Sequence, residues 1–271
     1  MFSLWGPSLL LGFRPPQYSM ASLPYQVRWG PYTVRVTGKI DPDVINTFAE
    51  LTFKITDRRG RLLKALGGRI ETVGFVKLGP HQPPALHVVW QREYAGHYGY
   101  VDYIFTRQGG VRCALRYDGN NYGIERFQDL DGDGQKEILA NSDVLAYDGY
   151  SFGSSPAVLV VFGWNGRRYA NRTPRFTWRV RIEAGKYWRS IGQWQRENCR
   201  KSPDNRNYDG LHGDIAGYFG NLSEIGRRRE AERWLRKHLS KEQWGWFQAH
   251  KASWTTSIRD ISKEYPPAKS S

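Results

Sequence analysis

Across the first two thirds of the chain, apolar side chains tend to recur at every second position. In residues 48–56, Leu51, Phe53 and Ile55 alternate with polar neighbours, which places all three on one face of a pleated strand. Residues 101–106, 111–117, 124–128 and 158–164 are short runs rich in β-branched and aromatic residues and bounded by Gly or Asn. Gln108-Gly109-Gly110 and Asp118-Gly119-Asn120-Asn121 lie between such runs as hairpin turns. The pattern predicts an antiparallel meander starting near Tyr25, with a last strand over residues 176–182.

The period then changes. Tyr187, Ile191 and Trp194 recur at helical spacing, and so do Leu211, Ile215, Tyr218 and Leu222. Ala231, Trp234, Leu235, His238 and Leu239 form an apolar stripe, on which His238 is expected to be a buried, hydrogen-bonded histidine. Glu232 and Arg236 are spaced for an ion pair on the outer face of that helix. Ser240 and Gln243 make a capping box, and Trp244, Phe247, Trp254, Ile258 and Ile261 carry a final helix as far as Pro266-Pro267. Most tryptophans of this part belong to the core on these stripes; Trp246 falls off its stripe and is expected to be exposed. The division predicted is an N-terminal segment (1–24), a β region (25–184), a helical region (185–265) and a tail (266–271). Residues 201–206 form a polar, turn-rich linker.

A chain of 271 residues, 39% hydrophobic and 14% aromatic, has enough apolar surface for an ordered fold of one large or two modest domains. One segment carries distinctive chemistry. In Asp129-Leu130-Asp131-Gly132-Asp133-Gly134-Gln135-Lys136-Glu137 the carboxylates can converge on one side of a tight turn, where they repel each other unless a cation is present. A hard divalent ion with oxygen ligands relieves that repulsion. Gly134 permits the sharp turn, and the carbonyl of Gln135 and the carboxylate of Glu137 are placed to add ligands. With water, about seven ligands result, which suits Ca²⁺ better than octahedral Mg²⁺.

An EF-hand would need Glu at the twelfth loop position, which here is Ala140, and helices on both sides, where this chain has strand-like runs. The acid at the ninth position and the β flanks instead resemble the FG-GAP/VCBS repeat family, with its pattern Asp-x-Asp-x-Asp-Gly-x-x-Asp followed by apolar residues. That resemblance implies a Ca²⁺ loop joining neighbouring strands, with Asp129, Asp131, Asp133, Gln135 through its carbonyl, and Glu137 as ligands. Glu137 departs from the pattern by being one carbon longer than Asp. Phe75, Leu78 and Leu86 line up with Phe127, Leu130 and Ile138, while Lys77, Gly79, His81 and Ala85 stand where the acids would be. That segment reads as a degenerate second repeat that binds no metal. Two repeats cannot close a propeller, which needs about four blades. The fold expected is therefore mainly β with a C-terminal α-helical region, an antiparallel meander forming an open sandwich or blade-like sheets and not a full propeller.

The net charge of +14 is uneven: residues 171–271 hold 21 Lys and Arg against 11 Asp and Glu, and residues 1–170 hold 19 against 15. The basic C-terminal part favours anionic partners, and Arg227-Arg228-Arg229 at a helix start is a candidate anion contact. No nucleic-acid recognition module accompanies the charge, which argues against nucleic acid. No nucleophile with a base and no phosphate-cradling loop stands out; Asp41 and Asp43 flank Pro42 as turn residues, and Gly67-Gly68 and Gly153-Ser154-Ser155 read as loops. Cys113 and Cys199 define neither a zinc site nor a disulfide framework, and whether they are bridged stays open. No apolar run is long enough to span a membrane; residues 1–13 have the length of a signal-peptide apolar region but no preceding Lys or Arg.

The functional expectation is a non-catalytic Ca²⁺-binding protein of the envelope or extracellular space, with protein or an anionic envelope polymer as partner. The alternative is a secreted hydrolase or glycan-binding protein acting on an anionic polymer. The extracytoplasmic location follows from affinity, since single loops of this kind resemble extracellular modules with dissociation constants of roughly 10⁻⁴–10⁻³ M, too weak to fill at resting cytosolic calcium.

Overall fold

The computed structural model describes residues 23–39, 50–91, 99–201 and 206–265. The N-terminal apolar run, the Asp41 to Asp43 turn, most of the polar linker and Pro266-Pro267 lie outside the described residues. Strands β1 (Tyr25–Trp29), β2 (Tyr32–Lys39), β3 (Glu50–Thr56), β4 (Leu62–Val76), β5 (Ala85–Gln91), β6 (Tyr100–Thr106) and β7 (Arg112–Asn120) form one antiparallel sheet in chain order. Strands β8 (Ile124–Gln128), β9 (Glu137–Ser142), β10 (Val158–Trp164) and β11 (Tyr169–Asn171) form a second sheet, ordered β11-β10-β9-β8. Among the described residues the protein is thus mainly β, with no closed barrel or propeller and with four α-helices in its C-terminal part.

The first sheet folds back on itself. Phe53 of β3 and Phe105 of β6 stack with ring centroids 6.0 Å apart, whereas strands three places apart in a flat sheet are about 14 Å apart. The bend lies in β4, which runs for 15 residues and feeds both halves. Gly67-Gly68 fall inside this strand rather than in a loop: Gly68 has φ +107°, and the register shifts between Ile70 and Thr72. A side chain at that φ would be strained, so glycine is what lets a continuous strand turn there. Trp90 braces the bend by donating its Nε1–H to the Gly67 carbonyl at 2.8 Å. Val34, Val36, Leu51, Phe53, Ile55, Val73, Leu86, Val88 and Phe105 fill the fold of the sheet.

Strand β5 shows how the layers stack. Leu86 and Val88 face the core inside the folded sheet, while Ala85 faces a second core on the other side. That second core joins Ile104, Leu115 and Tyr117 to Ile138, Leu139 and Ala140 of β9, to β10, and to the helices beyond. Near-continuous apolar strands such as Val158–Trp164 are what a sheet covered on both faces requires.

Helices α1 (Thr177–Asn198), α2 (Asp209–Glu224), α3 (Arg228–His238) and α4 (Lys241–Glu264) cover the second sheet. The strand expected over residues 176–182 is instead the start of α1. Thr173 and Pro174 open a 3-10 turn that runs into the helix, and Val180, Ala184 and Ile191 are buried at helical spacing. The short β-branched and aromatic run was too brief to reveal that period. Helix α2 is buried almost all round, through Leu211, Ile215, Ala216, Phe219 and Leu222. A Cβ at Gly213 would overlap the Ser154 carbonyl, so glycine permits the closest approach of this helix to its surroundings.

The capping box of Ser240 and Gln243 forms as expected. His238, by contrast, is exposed; it stacks on Trp234 at 4.2 Å and hydrogen-bonds through Nδ1 to the Trp234 carbonyl at 2.8 Å. Glu232 pairs with Arg228 at 3.7 Å and with Lys251 at 3.6 Å rather than with Arg236, because α4 brings a cation from the other side. Trp246 is half-buried, stacked on His212 at 3.6 Å; among the described residues the exposed tryptophans are Trp178 and Trp188 of α1, at 47% and 48%. Cys113 and Cys199 are both exposed free thiols. After α4, Tyr265 closes on the first sheet: its hydroxyl accepts from the Asp118 N–H at 2.8 Å, and its ring lies 5.3 Å from Tyr117 and 5.4 Å from Phe162. No helix among the described residues is long and apolar enough to cross a membrane.

Candidate metal centre

The acidic loop joins β8 to β9, with Gln128 paired to Glu137 and Phe127 to Ile138 at its base. Inside it the backbone is turned by side chains. Asp129 Oδ1 accepts from the Gly132 N–H at 2.7 Å and Oδ2 from the Gly134 N–H at 3.0 Å. Gly132 and Gly134 sit at φ +78° and +83°, which explains why glycine occupies both positions. Asp133 Oδ1 accepts from the Gln135 N–H at 2.7 Å. At the buried end, Glu137 is only 4% exposed, and its Oε2 accepts from the Leu130 N–H at 2.8 Å.

This wiring brings three carboxylates together. One oxygen each from Asp129, Asp131 and Glu137 lie within 4.8 Å of one another, so the group could hold a metal ion. Oxygens around a single Ca²⁺, at 2.3–2.6 Å from it, are separated by no more than about 5 Å, so the donor set fits a hard cation. Burial raises the Glu137 carboxyl above its ordinary range, and the charges of Asp131 and Asp133 push the same way against the lowering effect of the Leu130 N–H. A bound cation would offset both penalties by favouring the ionised form.

Of the other expected ligands, Asp133 lies outside the converging group, occupied with the Gln135 N–H. The Gln135 side chain turns onto Gly79, where a Cβ would overlap its amide, and its Oε1 is buried without a hydrogen-bond partner. Four contacts from distant parts of the chain support the loop, and sequence spacing gave no sign of them. The Lys136 N–H donates to the Leu78 carbonyl at 2.6 Å, and Pro80 lies against Gly134. Tyr169 donates its hydroxyl to the Lys136 carbonyl at 3.1 Å, and burial together with Glu137 and Asp133 holds that phenol well above its usual range. Arg175 reaches Asp131 Oδ2 at 2.8 Å, partly neutralising the cluster.

Two histidine–carboxylate pairs lie elsewhere among the described residues. His87 Nε2 is 2.6 Å from Asp102 Oδ1, while Asp102 Oδ2 accepts from the Ile124 N–H at 3.1 Å, so the buried Asp102 ties β8 to the first sheet. His250 Nδ1 is 3.0 Å from Asp148 Oδ1, and the nearby Ser253 hydroxyl donates to the same aspartate at 2.8 Å. A serine nucleophile would need to point at the histidine; here it points at the carboxylate. No family model matches this chain, and neither does any curated protein or solved structure.

Proposed function

We propose that this is a non-catalytic Ca²⁺-binding protein of the FG-GAP/VCBS type, in which the ion is structural and the protein serves as an extracytoplasmic interaction or scaffold protein. The reading is carried by one observation, the convergence of Asp129, Asp131 and Glu137 oxygens within 4.8 Å. The ion joins β8 to β9 at the edge of the second core, so its binding free energy appears as folding stability. The Gln135 carbonyl and water add ligands, and Asp133, which lies outside the converging group, joins the shell by turning its side chain toward the ion. The basic C-terminal part, with 21 Lys and Arg against 11 Asp and Glu, supports contact with protein or an anionic envelope polymer.

Titration calorimetry of the metal-free protein with CaCl₂ tests the reading. One Ca²⁺ per chain is expected, bound in preference to Mg²⁺, with binding lost in Asp131→Ala. Unchanged stoichiometry in that variant, or equal affinity for both ions, overturns it. Fractionation of the native host tests the location: recovery in the cytosol alone, together with a calcium affinity weaker than micromolar, refutes it.

A further inference from the structure

Helices α2, α3 and α4 enclose an open cavity of about 600 Å³, lined by Glu224 and Thr255 and by Arg227, Arg229, Arg233 and Arg259. A hollow of about 590 Å³ adjoins it and shares Arg229 and Arg233. Both volumes are in the range of small-molecule sites. Glu230 also lines the cavity and feels the charges of Arg227 and Arg233, but arginines outnumber acids on its wall. Glu230 is committed to Arg181 through two hydrogen bonds of 2.7 and 2.8 Å, and Glu232 lies 3.7 Å from Arg228. Among the described residues Arg229, Arg233 and Arg259 have no salt bridge of their own.

Two further observations point to a ligand. Helix α3 starts at the cavity with no side-chain cap and with arginines in its first turn, where the helix dipole already concentrates positive charge. Glu224, at the end of α2, is 8% exposed and lines the cavity; its Oε1 takes a 3.4 Å bond from Asn171, but its Oε2 is buried without a partner, as is Ser223 Oγ beside it. Buried polar groups left unpaired are costly, so a polar group that meets them contributes binding energy.

We propose that this cavity binds a phosphate ester: Arg229, Arg233 and Arg259 hold the phosphate oxygens, and Ser223 and Glu224 hydrogen-bond the hydroxyls of its esterified part. Guanidinium forks match phosphate geometry, and the free N–H groups at the start of α3 add to the anion's binding. Burial raises the Glu224 carboxyl to about 7, so near neutral pH it can donate as well as accept. The site does not depend on the calcium loop. A free sugar or polyol phosphate and the phosphate-bearing unit of an envelope polymer share this chemistry.

Calorimetry with glycerol 1-phosphate, a glycerol phosphate oligomer, inorganic phosphate and a single-stranded oligothymidylate tests it. Glycerol 1-phosphate should bind once per chain, and more tightly than inorganic phosphate, because only the ester offers hydroxyls to Ser223 and Glu224. The double substitution Arg229→Ala with Arg233→Ala should weaken it about tenfold or more, while Arg58→Ala with Arg59→Ala, which removes the same charge from the exposed β3–β4 turn, should leave it unchanged. Tighter binding of the oligomer than of the monomer would assign the polymer as source, and the reverse would assign the free ester. An equal loss in both double variants, absence of saturable binding, or a preference for the oligothymidylate overturns the proposal. A thermal melt of each variant confirms that it is folded.

Discussion

The loop between β4 and β5 and the loop between β8 and β9 are built on the same plan and ordered by different means. Each spans eight residues, 77–84 and 129–136, between antiparallel strands. The base pairings correspond as well: Val76 with Ala85 and Phe75 with Leu86 in the first, Gln128 with Glu137 and Phe127 with Ile138 in the second. The first loop carries Pro80, Pro83 and Pro84 and no acid, so fixed φ angles restrict its backbone. The second carries three carboxylates, with a fourth from Glu137 at the start of β9, and two positive-φ glycines, a flexible backbone held by side-chain hydrogen bonds. The two loops also touch, through Leu78 and Lys136 and through Pro80 and Gly134. The rigid loop is a platform for the charged one. An eight-residue turn can be ordered by restricting the unfolded chain or by giving the folded chain a ligand, and only the second route makes the turn responsive to its surroundings.

The largest effect should come from breaking the platform. Leu78 is 1% exposed, and Leu78→Ala should cost about 3 kcal/mol in urea denaturation; a loss below 1 kcal/mol would show that the loops are energetically separate. Calcium itself comes next. At free Ca²⁺ a hundred times its Kd, linkage adds about 2.7 kcal/mol. Chelation should therefore lower Tm and speed amide exchange in residues 129–136 while leaving residues 77–84 nearly unaffected; identical melts with and without Ca²⁺ would remove the contrast. Asp129→Ala, which deletes the acceptor of two backbone bonds, should cost the metal-free protein about 1 kcal/mol and abolish calcium binding by calorimetry. The smallest effect belongs to Arg175, a rather exposed cation on Asp131. Arg175→Ala should raise calcium affinity about two- to fivefold, because a weak competing pair is removed, and weaker affinity would mean that Arg175 helps to order the loop.

The loop was legible because its acids lie close together in sequence, and the first sheet because period-two alternation survives in Leu51, Phe53 and Ile55 of β3, buried on one face. What completes the site was not legible. Leu78, Tyr169 and Arg175 reach the loop only through tertiary packing, and no local pattern encodes that. The bend at Gly67-Gly68 read as a loop because glycine signals flexibility equally inside and outside strands. His238 read as buried because it falls on the apolar stripe of α3, yet between buried Leu235 and Leu239 its ring lies outward on Trp234.

The closure by Tyr265 bears on how the protein is made. Among the described residues, the buried members of the inner core of the folded sheet lie between Tyr25 and Phe105, with Leu23 and Val111 packed against them, so that core can close while the ribosome is still translating the rest. The second core draws on residues from Leu78 to Ile261, with Tyr265 packed against it, and stays open until the last helix emerges. For most of synthesis the outer face of β5 to β7 is therefore a sticky surface on a half-finished chain. A nascent chain stalled after residue 200 should bind trigger-type chaperones, and the same chain stalled beyond Tyr265 and clear of the exit tunnel should not.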